Sequence, residues 1–141
     1  MTIDNMRVDV PQEIAGAYFL RLTLIDDNGQ VRSQNDYVNT TIENDRTSLH
    51  DLRRAQVSAT ASGKSITLTN TGKVPAVMLR LNLKGDDGEQ ILPVIYSDNY
   101  LHLMPGESRT IDVEWKNEDA RGCQPIMEIT GMNMTKTTIE L

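Results

Sequence analysis

"AVMLRLNLK" occupies positions 76–84. Val77, Leu79, Leu81 and Leu83 recur at every second residue, with Met78, Arg80, Asn82 and Lys84 between them. A period of two marks a strand with one buried face; a helix would repeat its apolar positions every three to four residues. The spacing predicts a strand with Val77, Leu79, Leu81 and Leu83 pointing one way, into a core.

The flanking sequence repeats this pattern in short units. Upstream, "AQVSATA" alternates Val57, Ala59 and Ala61, "SGK" turns the chain, and "SITLTN" returns with Ile66 and Leu68 before the loop "NTGKVP". Downstream, "GDDGE" is a turn and "QILPVIY" a strand, in which Pro93 implies an edge or a bulge because proline cannot donate to a ladder. "YLHL" is short, and "PGES" has Pro and Gly in the order that a β-turn with positive φ at its third residue requires. "RTIDVEW" alternates Ile111, Val113 and Trp115. After "KNEDARGC", the segment "PIMEITGMNM" is the last expected strand. About seven short strands separated by turn residues predict an antiparallel β-sandwich. Leu79, Leu81, Ile111, Val113 and Trp115 are expected in one core between its two sheets.

The N-terminal part has its own signal. "AYFLRLTLI" places Leu20, Leu22 and Leu24 on one face and Phe19, Arg21 and Thr23 on the other. "DDNG" at 26–29 is a turn signal, and "QVRSQNDYV" resumes as a more polar strand. Residues 17–38 therefore read as an extra β-hairpin preceding the sandwich. "NTTIENDRTSLHDLRR" reads as a connector, with a short turn near Leu49 and Leu52. The domain division expected is a hairpin plus connector over 1–45 and a sandwich over 46–141.

Composition narrows the function. The chain has 141 residues, a formal net charge of -6, one Trp, one Phe, four Tyr and one Cys. An acidic chain with no Lys/Arg cluster has no electrostatic reason to bind nucleic acid or an anionic membrane. No segment reaches membrane-span length, and the N-terminus carries no apolar signal-peptide region. One cysteine cannot form an internal disulfide.

"YSDNYLHLMPGES" at 96–108 is the densest polar, aromatic and turn-forming stretch. S-D-N occurs in serine penicillin-binding enzymes, but those also need S-x-x-K and a later K-T-G. The first does not occur here, and the only relative of the second is a reversed "TGK" at 71–73 that precedes the S-D-N. His50 and His102 lack zinc-motif spacing and read as solvent-facing or strand histidines. "DDNG" and "GDDG" do not continue into a calcium loop ending in Glu and read as turns. Cys123 has no visible base partner and reads as a small apolar residue. No metal, cofactor or catalytic residue is implied. Tyr96, Asp98, Asn99 and Tyr100 could form a sugar-binding edge, with rings to stack and polar groups for hydroxyls. The competing reading is a corner in which Asp98 and Asn99 bond nearby backbone as the strand bends.

These same residues carry a family resemblance. "LTNTGKVPAVMLRLNLKGDDGE" followed by "LPVIYSDNYLHLMPGESRTIDVEW" resembles the C-terminal immunoglobulin-like domain of glycoside hydrolase family 2 enzymes, in the exo-β-glucosaminidase and β-mannosidase-like branch. Asn70, Thr71, Pro75 and Ala76 match its N-T-x-x-x-P-A stretch. Ser97, Asp98, Asn99, Pro105, Gly106 and Glu107 match its S-D-N and P-G-E pattern. Tyr18–Leu22, then Ser33, Asn35 and Tyr37, resemble the end of the domain that precedes it. Val38 and Met132 stand where the family often has Trp.

The resemblance implies an immunoglobulin-like accessory domain of a secreted or periplasmic glycosidase, packed against the enzyme's other domains. The catalytic glutamates would lie in an upstream barrel, so none is carried over to this chain. An independent carbohydrate-binding module using Tyr96, Tyr100 and Trp115, or an interaction domain of a cell-surface protein, are the alternatives. The hairpin, cut from partner strands, is also a candidate for self-association.

Overall fold

The computed structural model describes residues 16–41 and 47–141. The chain divides into two compact units, Met1–Asp51 and Leu52–Leu141. The division expected at 45/46 lies outside the described residues.

The first unit holds an antiparallel hairpin of β1 (Ala17–Ile25) and β2 (Val31–Thr40) and a single helical turn, α1 (Thr47–His50). Arg21 faces Asp36 across the ladder and grips it with two hydrogen bonds, at 2.7 and 2.9 Å. Asp26 closes the loop: its Oδ1 accepts the Asn28 and Gln30 N–H groups, and its Oδ2 accepts from Arg32. These donors, led by the Gln30 N–H, hold the Asp26 carboxyl below the ordinary range.

The second unit is an immunoglobulin-like sandwich of two four-stranded antiparallel sheets. Its strands are β3 (Val57–Ser62), β4 (Ser65–Asn70), β5 (Ala76–Gly85), β6 (Ile95–Tyr96), β7 (Leu101–Leu103), β8 (Ser108–Glu114), β9 (Pro125–Thr130) and β10 (Thr137–Glu140). One sheet runs β10-β9-β5-β7 and the other β3-β4-β8-β6. Leu79, Leu81 and Leu83 of β5, with Met127 and Ile129 of β9, pack against Ile66 and Leu68 of β4 and Ile111 and Val113 of β8. All of these are at most 1% exposed. Trp115 lies partly buried against that core.

Three expectations are corrected. Val77 is buried but stands outside the core cluster, which takes Ala76 instead. The cause is a bulge: β5 slips register against β7 between Ala76 and Leu79, with Met78 at φ 53. The extra residue reverses the facing of everything before it. The strand expected over 90–96 keeps only Ile95–Tyr96, because the segment around Pro93 leaves the ladder after a single bridge between Lys84 and Gln90. The segment 125–134 is not the last strand: β10 follows it and pairs with β9.

Candidate functional site

The stretch 96–103 carries the chain from one sheet to the other. Ile95 and Tyr96 pair with Glu114 and Val113 of β8, whereas Leu101 and Leu103 pair with Leu79 and Ala76 of β5. A strand that changes sheets leaves backbone groups unpaired on both sides, and each must find another partner.

Ser97 stays with β8. Its N–H donates to the Asp112 carbonyl and its Oγ accepts the Asp112 N–H, both at 2.9 Å. Asp98 accepts from Arg109 at 2.7 Å and, through Oδ1, from the Asn99 N–H. Asn99 reaches the other sheet. Its Oδ1 accepts the Leu81 N–H at 2.9 Å while its Nδ2 donates to the Leu81 carbonyl at 3.0 Å. One side-chain amide thus makes the two-point contact that a neighbouring strand residue would make. The same Oδ1 accepts the Tyr100 N–H, which holds Tyr100 at φ 56. Further along β5, the Leu83 N–H donates to Tyr96 Oη at 2.8 Å, and the Leu83 carbonyl accepts from Ile91. Burial pushes the Tyr96 phenol pKa up, partly opposed by the Leu83 N–H.

A second knot fixes the adjoining turn. Asn70 is 0% exposed, and its Nδ2 donates to the carbonyls of Val74 and Leu103 while its Oδ1 accepts the Gly72 N–H. Its backbone carbonyl accepts from Gly106, and its N–H donates to the Glu107 carbonyl. Pro105 and Gly106, with Gly106 at φ 81, form the turn that Glu107 closes by accepting the Met104 N–H. Pro75 supplies a carbonyl to a third asparagine, Asn133, whose Nδ2 also bonds Arg53 and whose Oδ1 accepts the Val77 N–H beside the bulge.

The structure therefore brings Ser97, Asp98 and Asn99 together at the crossing, and Asn70, Pro105, Gly106 and Glu107 at the turn below it. The side-chain polar groups of Tyr96, Asp98 and Asn99 are each engaged with backbone or Arg109. Tyr100 alone of the four offers an open ring, at 55% exposure. Sequence reading did not single out Asn133 or the role of His102, whose Nδ1 accepts the Met78 N–H. Both serve the bulge, which no apolar period signals. Among the described residues no group of three or more His, Cys, Asp and Glu side chains could hold a metal ion. Cys123 donates to Asp87 at 3.3 Å, and that contact pushes its thiol pKa up, away from a nucleophilic thiolate.

The family model for the exo-beta-D-glucosaminidase Ig-fold domain matches residues 35–134. This chain belongs to that family. An exo-beta-D-glucosaminidase of Hypocrea jecorina is 34% identical over 92% of this chain and 17% of its own length. The Streptomyces avermitilis exo-beta-D-glucosaminidase is 30% identical over 89% of this chain and 17% of its own length. Among solved structures, the exo-chitosanase CsxA of Amycolatopsis orientalis superposes with a TM-score of 0.82 and 27% identity, covering 95% of this chain and 20% of that one. The chain thus spans 17% of the length of these curated relatives. It is an immunoglobulin-like domain of a family found within larger glycosidases.

Proposed function

We propose that this chain is the non-catalytic accessory sandwich of a multidomain glycosidase acting on O-glycosyl bonds, of the exo-β-glucosaminidase and β-mannosidase-like kind, and that it packs against the enzyme's other domains. The observation that carries this reading is the match of 92% of the chain to 17% of a named exo-beta-D-glucosaminidase. The geometry supports it from the other side. The polar residues that first suggested an active site satisfy the backbone of a strand crossing, and Asp98 is bound by Arg109. The hairpin β1–β2 fits the closing strands of a neighbouring sandwich, with a domain junction near 45/46, and in isolation its open edges favour pairing with a second copy. The family resemblance supports a periplasmic or secreted enzyme.

Purified chain assayed on nitrophenyl β-glucosaminide and β-mannoside tests the reading. No turnover is expected. Turnover that follows the protein through purification and vanishes in Asp98→Asn or Glu107→Gln would overturn it.

A further inference from the structure

Three large apolar side chains are exposed around the β5 bulge: Met78 at 41%, Tyr100 at 55% and Met132 at 51%. The backbone brings them together. Leu101, beside Tyr100, pairs with Leu79, beside Met78. The Met132 N–H donates to the Val77 carbonyl at 2.9 Å. Arg80, the next outward residue of β5, is exposed as well. Among the described residues only Met78, Tyr100 and Arg121 hold a positive φ without being glycine, and two of these lie here, at φ 53 and 56. Glycine takes that conformation without the clash that a Cβ brings. A Met and a Tyr at these positions therefore cost the domain stability, and side chains turned to solvent return little of it. Residues held in such a conformation point to a use for the side chain. The patch is also fixed in place. His102 Nδ1 accepts the Met78 N–H, Asn133 Oδ1 the Val77 N–H, and Asn99 Oδ1 the Tyr100 N–H.

We propose that the Met78–Tyr100–Met132 patch is the surface against which another domain of the same polypeptide packs. The inference rests on the reading above of this chain as one domain of a larger glycosidase. Area selects the occupant. At their exposures the three side chains present roughly 300 Å² of surface. A stable complex of two free proteins buries about 800 Å² on each partner, far more than this patch offers to a second copy. Domains joined in one chain hold together with about 600 Å² in total, or about 300 Å² a side. The linker keeps them at high effective concentration, so a smaller contact suffices. This chain spans 17% of the curated relatives it matches, and the rest of such an enzyme supplies the partner. Tyr, Met and Arg are the side chains enriched in interfaces, and a surface fixed beforehand loses less entropy on docking.

The two methionines report on their own burial, because peroxide converts an accessible thioether to the sulfoxide. This chain and the longer enzyme that carries it are treated with hydrogen peroxide, and the sulfoxide at each methionine is read by mass spectrometry. Met127, fully buried, is the protected reference. Met78 and Met132 should oxidise readily in the chain alone and slower by at least roughly tenfold in the longer enzyme, where domain opening must come first. Tyr100→Gly should leave the thermal midpoint of the chain alone unchanged or higher, and should lower the midpoint of the longer enzyme. Equal oxidation in both proteins overturns the inference; turnover of nitrophenyl β-glucosaminide or β-mannoside by the longer enzyme then leaves the domain reading standing. Protection already present in the chain alone, from a second copy or from its own terminus, also overturns it. A longer protein with no turnover of either substrate, or a chain with no further domain, sinks the domain reading and this inference with it.

Discussion

The two edges of β5 are built differently. Toward β9, Arg80 to Gly85 pair in unbroken register with Thr130 to Pro125. That edge is a backbone ladder, and its hydrogen bonds form whatever side chains the residues carry. Toward β7, the ladder ends at Leu79, and the next two N–H groups of that edge are met by an asparagine amide and a tyrosine hydroxyl. The first edge spreads its stabilisation over many interchangeable residues. The second concentrates it in Asn99 and Tyr96, which allows the chain to leave one sheet for the other without orphaning the strand it abandons.

The comparison can be broken by substitution. The reference is a core position that both edges share: Leu81→Ala should cost about 2–5 kcal/mol, since the side chain is fully buried and leaves a cavity. Asn99→Ala should follow at about 1–3 kcal/mol, although Asn99 is only partly buried, because both backbone groups of Leu81 lose their partner. Denaturant midpoints measure both. An Asn99→Ala loss no larger than that of an ordinary surface substitution would erase the distinction between the edges. Tyr96→Phe isolates the hydroxyl and should cost about 1 kcal/mol by the same measurement, the loss of one acceptor for the Leu83 N–H.

The strands were largely legible from period two because each buries one face. Ile66, Leu68, Leu79, Leu81, Ile111 and Val113 all lie in the core that alternation assigned them. The failures have a common cause. Alternation assumes an unbroken ladder, and at Met78 the ladder breaks through a left-handed residue that is not glycine. Nothing local in "PAVML" announces that, so alternation gives Val77 the facing that belongs to Ala76. The break is stabilised by Asn133 and His102, which lie 56 and 24 residues away along the chain from the backbone groups they bind. At the crossing, "SDN" reads as turn chemistry, because Asp and Asn do bond nearby backbone in turns. Asn99 does bond the neighbouring Tyr100 N–H in that way; that it also bonds Leu81, 18 residues upstream, depends on the packing of two sheets and carries no sequence signature.

The ladder edge supplies the smallest effect. Glu128 of β9 accepts from Lys84 at 3.0 Å and lies 3.4 Å from Lys136, and the Lys84 contact leads in lowering its pKa. A lowered carboxylate stabilises the fold above its ordinary value of 4.5, and that contribution is lost as pH falls through the lowered value. Glu128→Gln should therefore cost about 0.2–1 kcal/mol at neutral pH and progressively less in acid. Thermal midpoints of the two proteins across that range should converge; a gap that widens toward low pH would contradict the assignment.

Residue-resolved amide hydrogen exchange on the native chain and on Asn99→Ala tests most directly whether a side chain completes the sheet at the crossing. The Leu81 amide of the native protein is expected to be protected like those on the β9 side of β5, although among the described residues no strand pairs with Leu81 on the β7 edge. In Asn99→Ala it should exchange faster by at least roughly tenfold relative to the β9-side amides, as a local opening requires. A Leu81 amide that is unprotected in the native chain, or equally protected in both proteins, would contradict the account.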